Sequence, residues 1–120
     1  MQAESNIIEY KSIRKIQTSD GLRDLAETCV CLANEQGGTI AIGIDDKTKE
    51  PPAGQRIEQE EINNALSRLR NQTYSVGIGN PVVYTHANGG EYVTISIVPS
   101  LKTIATTSTG KIYMRVADTC

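Results

Sequence analysis

A periodic pattern of apolar residues, followed by a pair of glycines, constrains the fold of this chain more than any other feature. Between residues 22 and 33 the apolar side chains recur every three or four positions, which is typical of one face of an amphipathic helix. Gly37 and Gly38 follow, and glycine readily adopts the left-handed backbone conformation with which helices end. Residues 39–44 then alternate isoleucine with small residues. The pattern predicts a helix, a tight turn and a strand whose small face lets another element or a ligand approach closely.

The remaining periodicities predict a second helix and several strands. Residues 57–70 carry another apolar stripe, with acidic residues at its start and arginines at its end, as the helix dipole favours. Residues 12–19 and 71–80 are polar and predict connections. The predicted strands are residues 6–11, 39–44, 81–85, 91–98, 103–107 and 111–116, of which the last four form two hairpins.

In chain order these elements give β-α-β-α-β-β with one further β pair. The most economical architecture is an α+β fold, in which two main helices cover one face of a mixed β-sheet. With 120 residues the chain has the length of one domain, and it can bury a core without cross-links. We therefore expect residues 1–120 to form a single domain.

Charge and cysteine content exclude several classes of protein. The net charge of −2 excludes a strongly basic protein, although it leaves room for a local basic patch. The apolar runs are too short to span a bilayer, and the acidic N-terminus is not a signal peptide. The spacing of Cys29, Cys31 and Cys120 is typical of neither a disulfide framework nor a zinc site. We expect free thiols and therefore a cytoplasmic protein.

The common nucleotide-binding and hydrolase motifs are missing from the sequence. Gly38 and Gly43 have the spacing of a P-loop, but Ile44 stands where that motif needs lysine. The pair Gly77 and Gly79 lacks the third glycine of a dinucleotide-binding turn. His86 is the single histidine, and no serine lies in a nucleophile elbow.

Four short blocks stand in an order that resembles a known family. They are Glu4 with Glu9-Tyr10-Lys11, Ala33-Asn34 with Gly37-Gly38-Thr39, Gly43-Ile44-Asp45-Asp46, and Tyr113-Met114-Arg115-Val116. Together they resemble the Schlafen-type Alba domain at the start of many bacterial transcription regulators, over residues 4 to about 118. Cys31 departs from the small residue of the family pattern. The resemblance requires the strand of Tyr10 to lie beside the strand of Ile42 in one small sheet.

The resemblance implies an Alba-like fold that binds nucleic acid and forms a homodimer. It also implies further C-terminal domains, so we expect this chain to be the N-terminal part of a longer bacterial protein. Family members often carry an ATP-binding label, which the missing P-loop does not support. The first hypothesis is therefore a DNA- or RNA-binding domain of a transcription regulator.

Three carboxylates offer a second hypothesis. Some eukaryotic Schlafen relatives cleave structured RNA with two glutamates and an aspartate, which fall by position on Glu4, Glu9 and Asp45. Clustered carboxylates bind Mg²⁺ or Mn²⁺, so the resemblance also implies a divalent-metal endoribonuclease. However, a straight strand would place Glu4 and Glu9 on opposite faces, and an aspartate after a strand is also typical of a turn. A structural or interaction domain without catalysis is the third hypothesis.

Asn34, Gly37 and Gly38 have two interpretations as well. They can end the helix and let the chain turn into the central strand, because glycine tolerates that turn. They can also expose backbone N–H groups to a phosphate, as successive amides do in anion-binding turns. The sequence leaves both interpretations open.

Two small groups of basic residues predict the nucleic-acid surface. One group lies in or after the first strand and the other in the late strands: Lys11, Arg14, Lys15, Lys102, Lys111 and Arg115. Each phosphate that they neutralise releases counterions, which gives salt-dependent affinity without sequence preference. Tyr10, Tyr84 or Tyr113 can stack on an unpaired base. They can equally complete the core of a chain that has neither Phe nor Trp.

Overall fold

The elements of the chain follow the predicted order through the second helix and then include additional short strands. The computed structural model describes residues 7–100, 103–115 and 120. The elements are β1 (Ile8–Lys11), a 3-10 helix (Ile13–Ile16), α1 (Ser19–Ala33), β2 (Gly38–Ile42), α2 (Gln59–Asn71), β3 (Thr73–Tyr74), β4 (Gly77–Ile78), β5 (Val82–Thr85), β6 (Glu91–Val98) and β7 (Thr106–Thr107). They confirm the predicted α+β class, with two main helices and a mixed sheet.

The larger sheet has β2 between a parallel and an antiparallel neighbour. β1 runs parallel to β2, with Tyr10 opposite Ala41 and Lys11 opposite Ile42. β6 runs antiparallel to β2 on the other side, and both β4 and β5 pair with β6. The strand of Tyr10 therefore lies beside the strand of Ile42, as the resemblance requires.

Both helices cover the same face of this sheet. Val93, Ile95 and Ile97 of β6 are buried, whereas the residues between them are more exposed. They join one apolar cluster with α1 and α2, to which Leu25 and Leu69 contribute fully buried side chains. Burial of such surface stabilises the fold by about 25 cal/mol per Å². No helix among the described residues covers the opposite face of the sheet.

The first helix has Thr18 as its N-cap and ends just before the two glycines, as the sequence predicts for its end. The Thr18 side chain accepts a hydrogen bond from the Gly21 N–H at 2.9 Å, which caps the N-terminus. At the other end Gly37 has a φ of 79°, and its N–H donates to the Leu32 carbonyl at 2.8 Å.

Within the described residues, no helix is both long enough and apolar enough to cross a bilayer.

The two segments predicted as connections contain short helical and strand elements, which their polar sequences do not indicate. Residues 12–19 include the 3-10 helix, because Ile16 is buried against the core. Residues 71–80 include β3 and β4, each only two residues long. Such short strands carry too few side chains for a period of two to be detected.

The second predicted hairpin is wrong. β7 pairs with β3 instead, and residues 111–115 form no strand, while Val116 lies outside the described residues. The physical reason is that Asn34, the C-cap residue of α1, takes backbone groups of both predicted strands. The Asn34 amide donates to the carbonyls of Ala105 and Tyr113, at 3.0 and 3.2 Å, and accepts from the Ala105 N–H at 2.7 Å. Only a turn remains, in which the Thr107 N–H donates to the Lys111 carbonyl at 2.9 Å.

The expectation of free cysteines is wrong for two of the three. Cys31 and Cys120 form a disulfide, with their Cα atoms 5.6 Å apart. The two residues are separated by 89 positions, so their spacing in the sequence gives no sign of the pairing. Cys29 stays free and buried, and burial raises the pKa of its thiol to about 12.

Candidate nucleic-acid interface

Two of the predicted basic residues converge on one aspartate of α1. Lys11 of β1 and Lys15 of the 3-10 helix place their Nζ atoms 3.1 and 3.2 Å from Asp24 Oδ2. Burial raises the pKa of Asp24, but the hydrogen bonds and charges of the two lysines outweigh burial and hold that pKa below its usual range. One carboxylate thus faces two cations, and the group keeps a positive excess.

A cleft of about 350 Å³ lies beside the start of α1, and three further cations line it. Arg23 comes from α1, Arg68 from the last turns of α2, and Lys111 from the segment after β7. Arg68 donates to the Ser19 hydroxyl at 3.4 Å, and Arg23 pairs with the exposed Asp20 at 3.2 Å. The hydroxyl groups that line the cleft belong to Ser19, Thr107, Ser108 and Thr109.

One carboxylate in the cleft, that of Glu27, already has a hydrogen-bond partner. Glu27 accepts a hydrogen bond from the Tyr113 hydroxyl at 3.0 Å. This bond raises the pKa of Tyr113, since the phenol proton is held by the carboxylate. The hydrogen bond occupies one acceptor oxygen of Glu27, and the carboxylate keeps its charge.

We call the five cations around the first half of α1 the basic belt. Its members are Lys11, Lys15, Arg23, Arg68 and Lys111. The carboxylates among them are Asp20, Asp24 and Glu27, so positive charge prevails locally in a chain whose net charge is −2. The belt suits an anionic polymer, because cations at several points can each contact a phosphate.

The sequence did not single out two members of the belt. Arg23 and Arg68 lie in helices, where charged residues on a solvated face are ordinary. Their meeting with Lys111 depends on how α1, α2 and the segment after β7 pack together. The favourable position of Arg68 at the C-terminal end of its helix was the only signal that the sequence offered.

The second surface is the face of the large sheet opposite the helices, which we call the open sheet face. Its residues, read from strand register, are Ile8, Tyr10, Thr39, Ala41, Val82, Tyr84, Tyr92, Thr94, Ser96 and Val98. Tyr84 and Tyr92 lie directly opposite each other and stack, with ring centroids 5.4 Å apart. Lys49 places its Nζ 4.4 Å from the centroid of the Tyr10 ring.

The structure describes two of the three predicted carboxylates. Glu9 lies in β1 opposite Ile40 and is half-buried. Asp45 Oδ1 accepts hydrogen bonds from the N–H groups of Thr48 and Lys47, and these bonds lower the pKa of Asp45. Asp45 therefore organises a turn. Glu4 lies outside the described residues.

Among residues 7–100, 103–115 and 120, no group of three potential ligand side chains is placed to hold a metal ion. The described donor set therefore does not fit a Mg²⁺ or Mn²⁺ site. Such a site would need Glu4 beside Glu9 and Asp45. Catalysis and metal binding by these three residues stay a prediction.

Asn34, Gly37 and Gly38 have local structural roles in the fold. The Asn34 amide is bonded to the backbone of Ala105 and Tyr113. A Cβ at Gly37 would lie 2.6 Å from the Ile97 carbonyl oxygen, so only glycine lets this turn pack so closely against β6. Approach of a phosphate to this turn stays a prediction.

The other predicted basic residues lie apart from one another. Arg14 is exposed and lines a smaller cavity of about 220 Å³ beside Asp45. The Arg115 N–H donates to Glu35 Oε2 at 3.3 Å, near the end of α1. Lys102 lies outside the described residues. The structure thus brings Lys11, Lys15 and Lys111 around α1, and places Arg14 and Arg115 elsewhere.

Comparison with known families agrees with the order of elements and blocks. The family model described as Schlafen, AlbA_2 matches residues 4–120. The chain belongs to the Schlafen, AlbA_2 family. This membership confirms the resemblance, and it makes the Schlafen domain a nucleic-acid-related one. Comparison with curated proteins finds no match.

A solved structure supports the fold of this Schlafen domain. The DIP2311 protein from Corynebacterium diphtheriae superposes with a TM-score of 0.71 at 19% sequence identity. The alignment covers 99% of this chain and 22% of that protein. The Schlafen domain therefore spans about a fifth of the length of its structural neighbour, and at this identity the likeness concerns the fold alone.

Proposed function

We propose that this Schlafen domain binds DNA or RNA and serves a bacterial transcription regulator. Family membership supports a nucleic-acid-related role, and the basic belt is the observation that carries the proposal. The belt holds five cations against three carboxylates, one of which is shared by two lysines and one of which binds a tyrosine. The regulatory role rests on the resemblance to regulators alone.

The belt can contact phosphates without reading bases. Lys15 and Arg23 have side chains 36% and 68% exposed, so both can reach a ligand without unfolding the domain. Each phosphate contact to a duplex contributes about 0.9 to the slope of log affinity against log salt, and each contact to a single strand about 0.7. We therefore expect affinity that is moderate, independent of sequence and strongly dependent on salt.

Removing two belt cations should flatten that salt dependence. In the double variant Arg68→Gln/Lys111→Gln, the slope for a duplex should fall by about 1.8 in magnitude, because two contacts are lost. Affinity at low salt should fall about tenfold. Fluorescence anisotropy with a labelled 20-nucleotide duplex, between about 50 and 200 mM salt, measures both quantities.

A second double variant controls for net charge. Arg56→Gln/Arg70→Gln removes the same charge from positions outside the belt, where Arg56 pairs with Glu91 at 3.6 Å and Arg70 donates to the Ile78 carbonyl at 3.2 Å. Its salt slope should equal that of the wild type. Equal losses in both variants would contradict the proposed role of the belt. No binding of either a duplex or a single strand at low salt would refute nucleic-acid binding itself.

A further inference from the structure

The open sheet face exposes several large apolar side chains to solvent. Ile8, Val82, Tyr84 and Val98 are each 46–55% exposed, and all four lie on this face. None of the strand residues on this face is a carboxylate. Exposed apolar patches of this kind mark interaction sites. The aromatic rings and the lysine on or beside this face indicate which kind of partner it binds.

We infer that the open sheet face is a stacking platform for unpaired nucleotides, so that the domain prefers single strands to duplexes. This inference rests on the proposed function and names its ligand class. An aromatic side chain in a groove that tracks a nucleic-acid strand stacks on any base, because every base has a π-face. In a duplex these π-faces are covered by neighbouring base pairs.

The tyrosine pair is positioned by the sheet itself. Tyr84 of β5 lies opposite Tyr92 of β6, and the rings stack with an interplanar angle of 22°. Because strand register fixes both backbones, the rings are preorganised and little side-chain freedom is lost when a base adds to the stack. Tyr84 is 46% exposed, so its ring is accessible.

A shallow depression continues the platform from the tyrosine pair toward β1. It has a volume of about 230 Å³, and its lining includes Tyr10, Thr39, Ala41, Lys49, Tyr92 and Thr94. The small side chain of Ala41 leaves space at the bottom of the depression. The hydroxyls of Thr39 and Thr94 can donate hydrogen bonds to a base edge or accept them from it. A nucleotide that leaves the tyrosine pair therefore meets a third aromatic ring, Tyr10.

Charge also favours a nucleic acid over an apolar protein partner. Lys49 lies over the Tyr10 ring at 4.4 Å and pairs with Asp46 at 2.9 Å, so a phosphate can compete for this ammonium group. β1 forms one edge of the sheet, and Lys11 of the belt belongs to it. Lys11 lies opposite the buried Ile42 and pairs with Asp24 of α1, so a strand on the open sheet face reaches the belt by passing around the β1 edge.

Replacing the exposed tyrosine tests the platform on the whole chain. The probes are a 12-nucleotide oligo(dT), an oligo(U) of equal length and a 12-base-pair duplex. Tyr84→Leu keeps an apolar side chain but removes the ring, and it should weaken binding of both single strands about tenfold. Tyr84→Phe keeps the ring and should bind within about twofold of the wild type. Duplex affinity should be the same in all three proteins.

A tyrosine elsewhere on the surface provides the matched control. Tyr74 of β3 is 60% exposed and lies outside the larger sheet. Tyr74→Leu should bind single strands like the wild type, and circular dichroism should show that every variant is folded. The quenching of tyrosine fluorescence by bound oligonucleotide should be smaller in Tyr84→Leu than in Tyr74→Leu.

Three outcomes would overturn the inference, and they differ in what they leave standing. If Tyr84→Leu binds single strands like the wild type while the belt variant loses affinity, the platform is refuted and the proposed function stands. If Tyr84→Leu only converts a dimer into a monomer by light scattering, with unchanged affinity, the face binds a second copy instead. If no probe binds at low salt, both proposals fail.

Discussion

Cys120→Ser is expected to lower the free energy of unfolding by about 4 kcal/mol, since it opens a very long covalent loop. The disulfide joins residues separated by 89 positions and so restricts most of the unfolded chain. In the chain-entropy account, a loop of about 100 residues stabilises a fold by about 4.7 kcal/mol, and native-state strain reduces this value. With a typical urea dependence of about 2 kcal/mol per molar, the unfolding midpoint should fall by about 2 M.

A reducing agent provides the control for this substitution. It should lower the midpoint of the wild-type protein by the same amount and leave the midpoint of Cys120→Ser unchanged. Cys29 should not exchange with the bridge in the folded chain, because its thiol is buried and has a pKa of about 12. A wild-type midpoint that does not respond to reduction would contradict the pairing of Cys31 with Cys120.

Gly21→Ala is expected to destabilise the fold and to move Lys15 away from the rest of the belt. A Cβ at Gly21 would lie 2.6 Å from both the Cα and the carbonyl oxygen of Lys15. These are backbone atoms, so the 3-10 helix would have to move away from α1. Overpacking of this kind costs about 1–3 kcal/mol or more, which exceeds the gain of about 1 kcal/mol from placing alanine in a helix.

The same variant has a local signature that a general loss of stability would not produce. If Lys15 moves away from Asp24, the pKa of Asp24 should rise, because the charge and hydrogen bond of Lys15 help to lower it in the wild type. Carboxyl carbon shifts followed by NMR would measure this. Gly79→Ala is the control, since a Cβ there lies 3.4 Å from its nearest neighbour. Equal destabilisation by both variants would contradict the tight packing at Gly21.

The centre of the fold could be predicted from sequence because its signals are local. The apolar period of α1, the glycines after it and the isoleucines of β2 each report on neighbours within a few residues. β6 was predicted with its observed bounds for the same reason, since its residues alternate over eight positions. The predicted ends of α2 were off by two residues at one end and one at the other. Ile57 is buried outside the helix, where its N–H donates to Glu91.

The late part of the chain could not be predicted, because distant residues determine it. The Asn34 amide takes the backbone groups that a second hairpin would have used, across 71 and 79 positions. The disulfide depends on contact between residues 89 positions apart. No period or turn signal in one segment reports on partners that lie so far away.

The candidate interface was predictable only in part for a similar reason. Sequence identified Lys11, Lys15 and Lys111 as basic, but it could not place them around one helix or add Arg23 and Arg68. The sequence offers Tyr84 as a candidate for stacking on a base, yet the pairing of Tyr84 with Tyr92 depends on the register of β5 and β6. Surfaces that several elements build together appear only when the packing of those elements is known.

Amide NMR during titration with a 12-nucleotide oligo(dT) tests the binding account most directly. We expect the largest shift changes at the first turns of α1, at Arg68 and Lys111, and on the open sheet face at Tyr84 and Tyr92. Raising the salt should reverse the changes around the belt first, since those contacts release counterions. Shift changes confined to the first two turns of α2, with none at the belt or on the open sheet face, would contradict it.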